Sequence, residues 1–180
     1  STTGAYVGFA SAVLVWAWHE LVFLLGAVTG PRKVACPREV TGFRRFVLAT
    51  SVVIHHELAL AATVALIVGL TWSQPNQVGT WTFLVLWVMR LSAKLNVFLG
   101  VRNLNEQFVP PHLRYITSYF RRAKLNALMP FSLLAGSAVV VALVLPSCSP
   151  DASPFVIVSR TLVASMLALA VLEHVFLALP

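Results

Sequence analysis

Apart from Arg160, which can snorkel outward, nine ionisable side chains interrupt stretches that are otherwise apolar: His19-Glu20, His55-His56-Glu57, Arg90, Lys94 and Glu173-His174, with Asn96 close behind Lys94. Carboxylates and imidazoles on neighbouring helices can hold a metal ion, relay protons or ligate the magnesium of a tetrapyrrole. With Arg and Lys among them, they can also neutralise one another. A charge at mid-bilayer costs about 2.5–3.5 kcal/mol on insertion scales, so such groups are expected to face a bundle interior and find partners there.

Each chemistry makes a demand on spacing. Carboxylate-bridged metal sites in helical bundles use Glu-x-x-His, which puts both ligands on one face. Here the His-Glu pairs are adjacent, about 100° apart on a helix, and two cations share their layer, so no metal site is expected. A magnesium tetrapyrrole needs an axial histidine with a small residue one turn away. His174 with Ala170, and His55 with Ser51, meet that condition, whereas His19 and His56 have Val15 and Val52. His174 and His55 are therefore the candidate pigment ligands. A proton path would use the same Glu and His residues, but no pair of Gly/Pro-broken helices and no internal repeat accompanies them. The chain has no Gly-rich phosphate loop, zinc-protease motif or nucleophile elbow, so no enzymatic activity is expected.

The elements that must position these residues follow from composition. Of 180 residues, 58% are apolar and only 11% charged, against about 25% charged in soluble domains. Mean hydropathy is +0.84. This excludes disorder and a disulfide scaffold and leaves an all-α integral membrane protein. Five segments satisfy the requirement of about 20 apolar residues per crossing, near 4–29, 46–71, 79–101, 128–146 and 155–179. They form a single membrane domain, a bundle of five transmembrane helices.

The chain carries 13 Lys+Arg against 6 Asp+Glu, a net charge of +7. In a soluble protein that excess would suggest nucleic acid, but here its placement alternates. Connection 30–45 holds Arg32, Lys33, Arg38, Arg44 and Arg45, and connection 102–127 holds Arg102, Arg114, Arg121, Arg122 and Lys124. Connection 72–78 has no charge and 147–154 only Asp151. The positive-inside rule then places 30–45 and 102–127 in the cytoplasm and 72–78 and 147–154 across the membrane, with no role for nucleic acid. Trp72 and Trp81 bracket the uncharged connection at aromatic-belt height. Cys36 and Cys148 fall on opposite sides and read as ordinary thiols. The chain opens at Ser1 without Met and ends on an apolar run, which suggests a piece of a longer protein.

Within 102–127, Pro110-Pro111 fits a helix start, and 111–123 then aligns Leu113, Ile116 and Phe120. A short interfacial amphipathic helix is expected there. Arg114, Arg121, Arg122 and Lys124 would anchor it to anionic lipid, although docking on a partner would use the same residues.

Span midpoints set the heights of the intramembrane charges. At about 1.5 Å rise per residue, Arg90 falls at the midplane, with Glu57 about 2 Å, Glu20 about 5 Å, Lys94 about 6 Å and Glu173 about 9 Å toward the cytoplasm. All five fit a layer about 10 Å thick. The simplest expectation is internal pairing: Arg90 with Glu57, and Lys94 with Glu20 or Glu173. One histidine proton would balance the remaining carboxylate.

Several strings carry a resemblance: WAWHELVFLLGAVTGPR (16–32), HHELALA (55–61), PNQVGTWTFLVLWVMRLSAKLN (75–96), FLGVRNLNEQF (98–108), PPHLRYITSYFRR (110–122) and LEHVFLALP (172–180). They resemble the PuhE family of photosynthetic complex assembly proteins of anoxygenic phototrophic bacteria. The likeness runs from about Gly4 to Met129 and resumes near Leu167. The fourth span and Ser147–Ser159 match only in hydrophobicity. The resemblance implies a multi-pass inner-membrane protein encoded beside the reaction-centre H subunit, so that the far connections are periplasmic. It implies a non-enzymatic accessory or assembly subunit whose partners are reaction-centre and light-harvesting subunits. No cofactor is required, though bacteriochlorophyll, carotenoid or lipid could be bound. The alternatives are a bacteriochlorophyll-handling protein or a proton-coupled transporter. The family has no established catalytic residues, so none is carried over.

Overall fold

The computed structural model describes residues 1–104 and 106–179. Asn105 and Pro180, one residue each of two strings quoted above, lie outside it. The described chain is helical: α1 is Thr2–Leu24, α2 Gly42–Thr71, α3 Val78–Leu99, α4 Leu128–Val144 and α5 Pro154–Ala178. Five helices are long and apolar enough to cross a membrane, the fourth counted together with the 3-10 turn Leu145–Cys148. Among the described residues no strand forms, and the sole bridge joins Val101 to Arg122.

The helix ends follow local chemistry. Expected to reach residue 29, α1 stops at Leu24 because Gly26 takes φ +76°. The Gly26 and Ala27 amides turn back to the Phe23 and Val22 carbonyls at 2.8 and 3.1 Å, a Schellman ending. At the other end of the chain, Ser153 caps α5 by accepting from the Val156 amide at 3.3 Å, with Pro154 in the first turn. Gly100, at φ +124°, ends α3.

The segment after α1 crosses α2 at close quarters. The His56 amide donates to Thr29 O at 3.0 Å, and the Arg32 amide to Ser51 O at 3.4 Å. Gly30 lies so near that a Cβ would sit 2.1 Å from Ser51 O. This contact fixes the part of α2 that carries His56 and Glu57.

The two long connections meet at one end of the bundle, with buried Tyr119 as their hub. Its hydroxyl accepts from Arg32 Nε at 2.7 Å and donates to Val34 O at 3.0 Å, while its carbonyl accepts from Arg45 Nη2. The Cys36 amide donates to Ser118 Oγ at 2.8 Å, and His112 Nε2 to Leu24 O at 2.9 Å. At the opposite end Asn76 donates to Gly4 O at 2.8 Å, and Ala5, Val78 and Val163 form a small core.

The expected amphipathic helix over 111–123 is shorter and of another kind. Residues Pro111–Tyr119 form a 3-10 helix, and Phe120 turns extended. Residues 121–123 then pair by backbone with the end of α3: Arg121 N to Val97 O at 3.2 Å, Val101 N to Arg121 O at 3.1 Å and Ala123 N to Val101 O at 3.2 Å. These tertiary bonds replace the local ones a helix would have made.

Helix α5 packs on α4, α3 and α1, and α3 also touches α1 and α2. The outer faces are apolar, with Leu14, Trp18, Leu66, Phe131, Leu134 and Leu169 all exposed. Such a surface suits lipid rather than water.

Candidate functional site

The charged layer is built around one face of α3. Trp87, Arg90 and Lys94 recur at helical spacing, so they share that face. Arg90 joins two helices: Nη2 lies 3.2 Å from Glu20 Oε2 on α1, and Nη1 lies 3.3 Å from Glu173 Oε1 on α5. Lys94 binds Glu57 Oε1 on α2, and the Trp87 indole donates to Glu57 Oε2 at 3.2 Å. Four helices are therefore tied at one level of the bundle.

This corrects the expected pairing, in which Arg90 took Glu57 and Lys94 took Glu20 or Glu173. Height along the axis sets who is level with whom, but direction around the helix decides contact. Trp87 and Lys94, two turns apart, bracket Glu57 from the α2 side. Arg90 is turned away from both by about 60° and 40° and faces α1 and α5.

The histidines separate. His56 is buried, its Nε2 3.6 Å from Glu20 Oε1 and its ring centroid 4.7 Å from that of Phe23. His19 Nε2 donates to Thr63 Oγ1 at 2.9 Å, because the Thr63 hydroxyl proton goes to Ala59 O at 3.0 Å. The rings of His19 and His56 are 6.5 Å apart. His55 is not brought into this cluster; it lies exposed on the outer face of α2.

A second, uncharged seam joins α3, α4 and α5. His174 has no exposed surface. Its Nδ1 donates to Ala170 O at 2.8 Å, and its Nε2 lies 2.9 Å from Ser92 Oγ. Ser92 Oγ lies 2.9 Å from Ser132 Oγ, and fully buried Asn96 donates to Ser132 Oγ at 3.2 Å and to Ser92 O at 2.9 Å. Asn126 continues the seam by donating to Asn96 O at 3.2 Å and Gly100 O at 2.8 Å. Its carboxamide oxygen accepts the Leu128 and Met129 amides at the start of α4.

The donor set bears on a pigment. The Nδ1 bond to Ala170 O would orient an axial imidazole, but Nε2, the nitrogen left for a metal, lies 2.9 Å from Ser92 Oγ, and His174 has no exposed surface. An axial bond at His174 does not fit this packing. His55 alone of the two candidates presents its ring outward. Among the described residues no group of three or more His, Cys, Asp or Glu is placed to hold a metal ion.

The layer opens sideways. A crevice of about 180 Å³ lies between α1, α3 and α5, walled by Trp16, Leu86, Met89 and Ala170 beside Glu20, Arg90 and Glu173. Glu173 is 47% exposed there, against 19% for Glu20. Ser92, Ser132, Trp87 and Thr63 on the helices, and Asn126 just before α4, also belong to these networks, although neutral side chains gave no signal of it. The basic residues Arg114, Arg121, Arg122 and Lys124 are all exposed, the first on the 3-10 helix and the others in the segment after it.

No solved structure matches this chain. A curated relative, the uncharacterized 30.4 kDa protein in the puhA 5′ region of Rhodobacter capsulatus, is 38% identical over 180 residues. The match takes in 100% of this chain but 65% of the relative, so the chain spans less than two thirds of that protein's length. A family model described as "Protein of unknown function (DUF3623)" matches residues 1–180, and the chain belongs to that family.

Proposed function

We propose that this chain is a non-enzymatic, multi-pass protein of the bacterial inner membrane that serves as an accessory or assembly subunit of the photosynthetic reaction centre–light-harvesting complex. The observation that carries this reading is the 38% identical relative encoded in a puhA 5′ region. It agrees with the resemblance to the PuhE family, whose members are encoded beside the reaction-centre H subunit. The charged layer supports a structural core: each of Glu20, Glu57 and Glu173 has a cationic partner within the chain. The layer runs across the bundle at one level, which favours fixing helices over conducting protons from end to end. Connections 30–45 and 102–127 are the cytoplasmic ones, and their mutual packing through Tyr119 supports a common side. Partner helices meet the apolar outer faces.

The test is a mild-detergent purification of the tagged full-length protein from phototrophic cells, recording particle size and near-infrared absorption together. Co-purification of antenna or reaction-centre absorption is the expected result for a resident subunit. A deletion strain with unchanged amounts of both complexes would remove the proposal.

A second reading, a bacteriochlorophyll-handling protein, rests on the exposed ring of His55. A magnesium tetrapyrrole bound there would supply light absorption, while His55 and the outer face of α2 would hold it. That reading requires a chromophore in the pure protein that His55→Phe abolishes without loss of the fold.

A further inference from the structure

The backbone pairing of residues 121–123 with the end of α3 does more than close a loop. It sets Arg102, Arg122 and Lys124 around one shallow cleft of about 400 Å³ whose floor is Val101 and Ala123. Gly100 makes the approach feasible, since a Cβ there would lie 2.7 Å from Ala123 Cβ. Arg102 lies three residues past the last residue of α3, and Lys124 four before the first of α4. If both helices cross the bilayer, as proposed above, the cleft stands at headgroup height.

We propose that Arg102, Arg122 and Lys124 form a binding site for the phosphate of an anionic phospholipid. Two guanidinium groups and an ammonium surround the space, and guanidinium donors match phosphate oxygens in pairs. Among the described residues the recorded acidic contact is Glu106, 3.7 Å from Arg122, too long to occupy its donors as a hydrogen bond. The neighbouring cations Arg32 and Arg45 are engaged elsewhere, on Tyr119 and on the Phe98 carbonyl. Exposed Leu99 and Leu125 flank the site in sequence and would meet the acyl chains. The site differs from a diffuse basic surface in its membership. Arg102 belongs to it, while Arg114 and Arg121, equally basic and exposed, do not line the cleft.

The test places the full chain in nanodiscs of phosphatidylcholine with and without phosphatidylglycerol and counts the lipid retained after transfer to mild detergent, by native mass spectrometry. The wild type should retain phosphatidylglycerol in the presence of inorganic phosphate. Replacing Arg102, Arg122 and Lys124 by Gln should weaken retention by about fivefold per residue, on the order of 100-fold together. Arg114→Gln with Arg121→Gln should leave it unchanged, and unaltered far-ultraviolet circular dichroism would show that each variant is folded. Equal loss in both sets, or loss in neither, overturns the cleft. Displacement by inorganic phosphate assigns the cleft to a soluble phosphate and overturns the lipid. Failure of the wild type to enter phosphatidylcholine discs would instead overturn the membrane reading on which the proposal rests.

Discussion

Breaking the Lys94–Glu57 pair from its two sides should have unequal consequences. In the intact layer three carboxylates, Glu20, Glu57 and Glu173, face Arg90 and Lys94. Lys94→Met leaves three carboxylates to one cation, and Glu57 keeps only the Trp87 indole at 3.2 Å. Removing one partner of a buried pair costs about 3–5 kcal/mol. With Lys94 25% exposed and Glu57 14% exposed, the lower figure, about 3 kcal/mol, is expected. Glu57→Gln leaves two carboxylates to two cations. The ammonium retains the amide oxygen as acceptor and the Phe23 ring at 5.6 Å, so the loss should be about 1–2 kcal/mol. The double variant again has no orphaned charge at this position and should lie about 1 kcal/mol below wild type. Glu57→Gln therefore rescues Lys94→Met by about 2 kcal/mol, and the coupling energy of the cycle is about 3–4 kcal/mol, at the upper end of what neighbours in contact show. The assay is reversible unfolding of the purified protein by sodium dodecyl sulfate in bicelles, run as a double-mutant cycle. Additive losses, or Glu57→Gln more damaging than Lys94→Met, would refute the pairing and the charge argument together.

Other perturbations separate the remaining contacts. Gly30→Ala should abolish most folded protein, because the new Cβ meets backbone atoms of Ser51 and Val52 at 2.1–2.7 Å; abundance and gel-filtration profile report it. Asn96→Leu should destabilise by about 1–2 kcal/mol through the lost bond to Ser132. Ser159→Ala should be neutral to slightly stabilising in the same unfolding assay, since the buried Ser159 hydroxyl has no hydrogen-bond partner among the described residues. A membrane-impermeant maleimide applied to spheroplasts should label exposed Cys148 and not Cys36, with the order reversed in inverted vesicles; labelling of both from one side would defeat the proposed topology.

Much of the fold was legible because its signals are local. The spans follow from runs of apolar residues, whereas the turn at Gly26, which ends α1 at Leu24 rather than near residue 29, was not read from them. The height of the charged layer was also legible, since rise per residue needs only the span midpoints. The pairing of Arg90 and Lys94 was not, because it depends on the direction in which each neighbouring helix lies. Ser92, Ser132 and Asn126 were missed for a related reason. A serine in a membrane helix can satisfy itself on its own backbone, as Ser132 also does with Leu128 O at 3.0 Å, so composition does not reveal an interhelical bond. The segment at 120–123 follows partners across the fold, and no periodicity within 111–123 encodes them.

The distribution of the layer over the helices bears on the order of synthesis. Helices α1–α3 carry Glu20 and Glu57 together with Arg90 and Lys94, two charges of each sign. On the membrane reading proposed above, by the time α3 has left the ribosome its cations can be neutralised by α1 and α2, and none of these four charges need wait in the bilayer for a later segment. Helix α5 then arrives with Glu173 for the outer side of Arg90 and His174 for Ser92, both already in place. On that reading insertion can proceed in two stages: a three-helix unit whose layer charges balance, followed by a hairpin that docks through Glu173, His174 and Ser132.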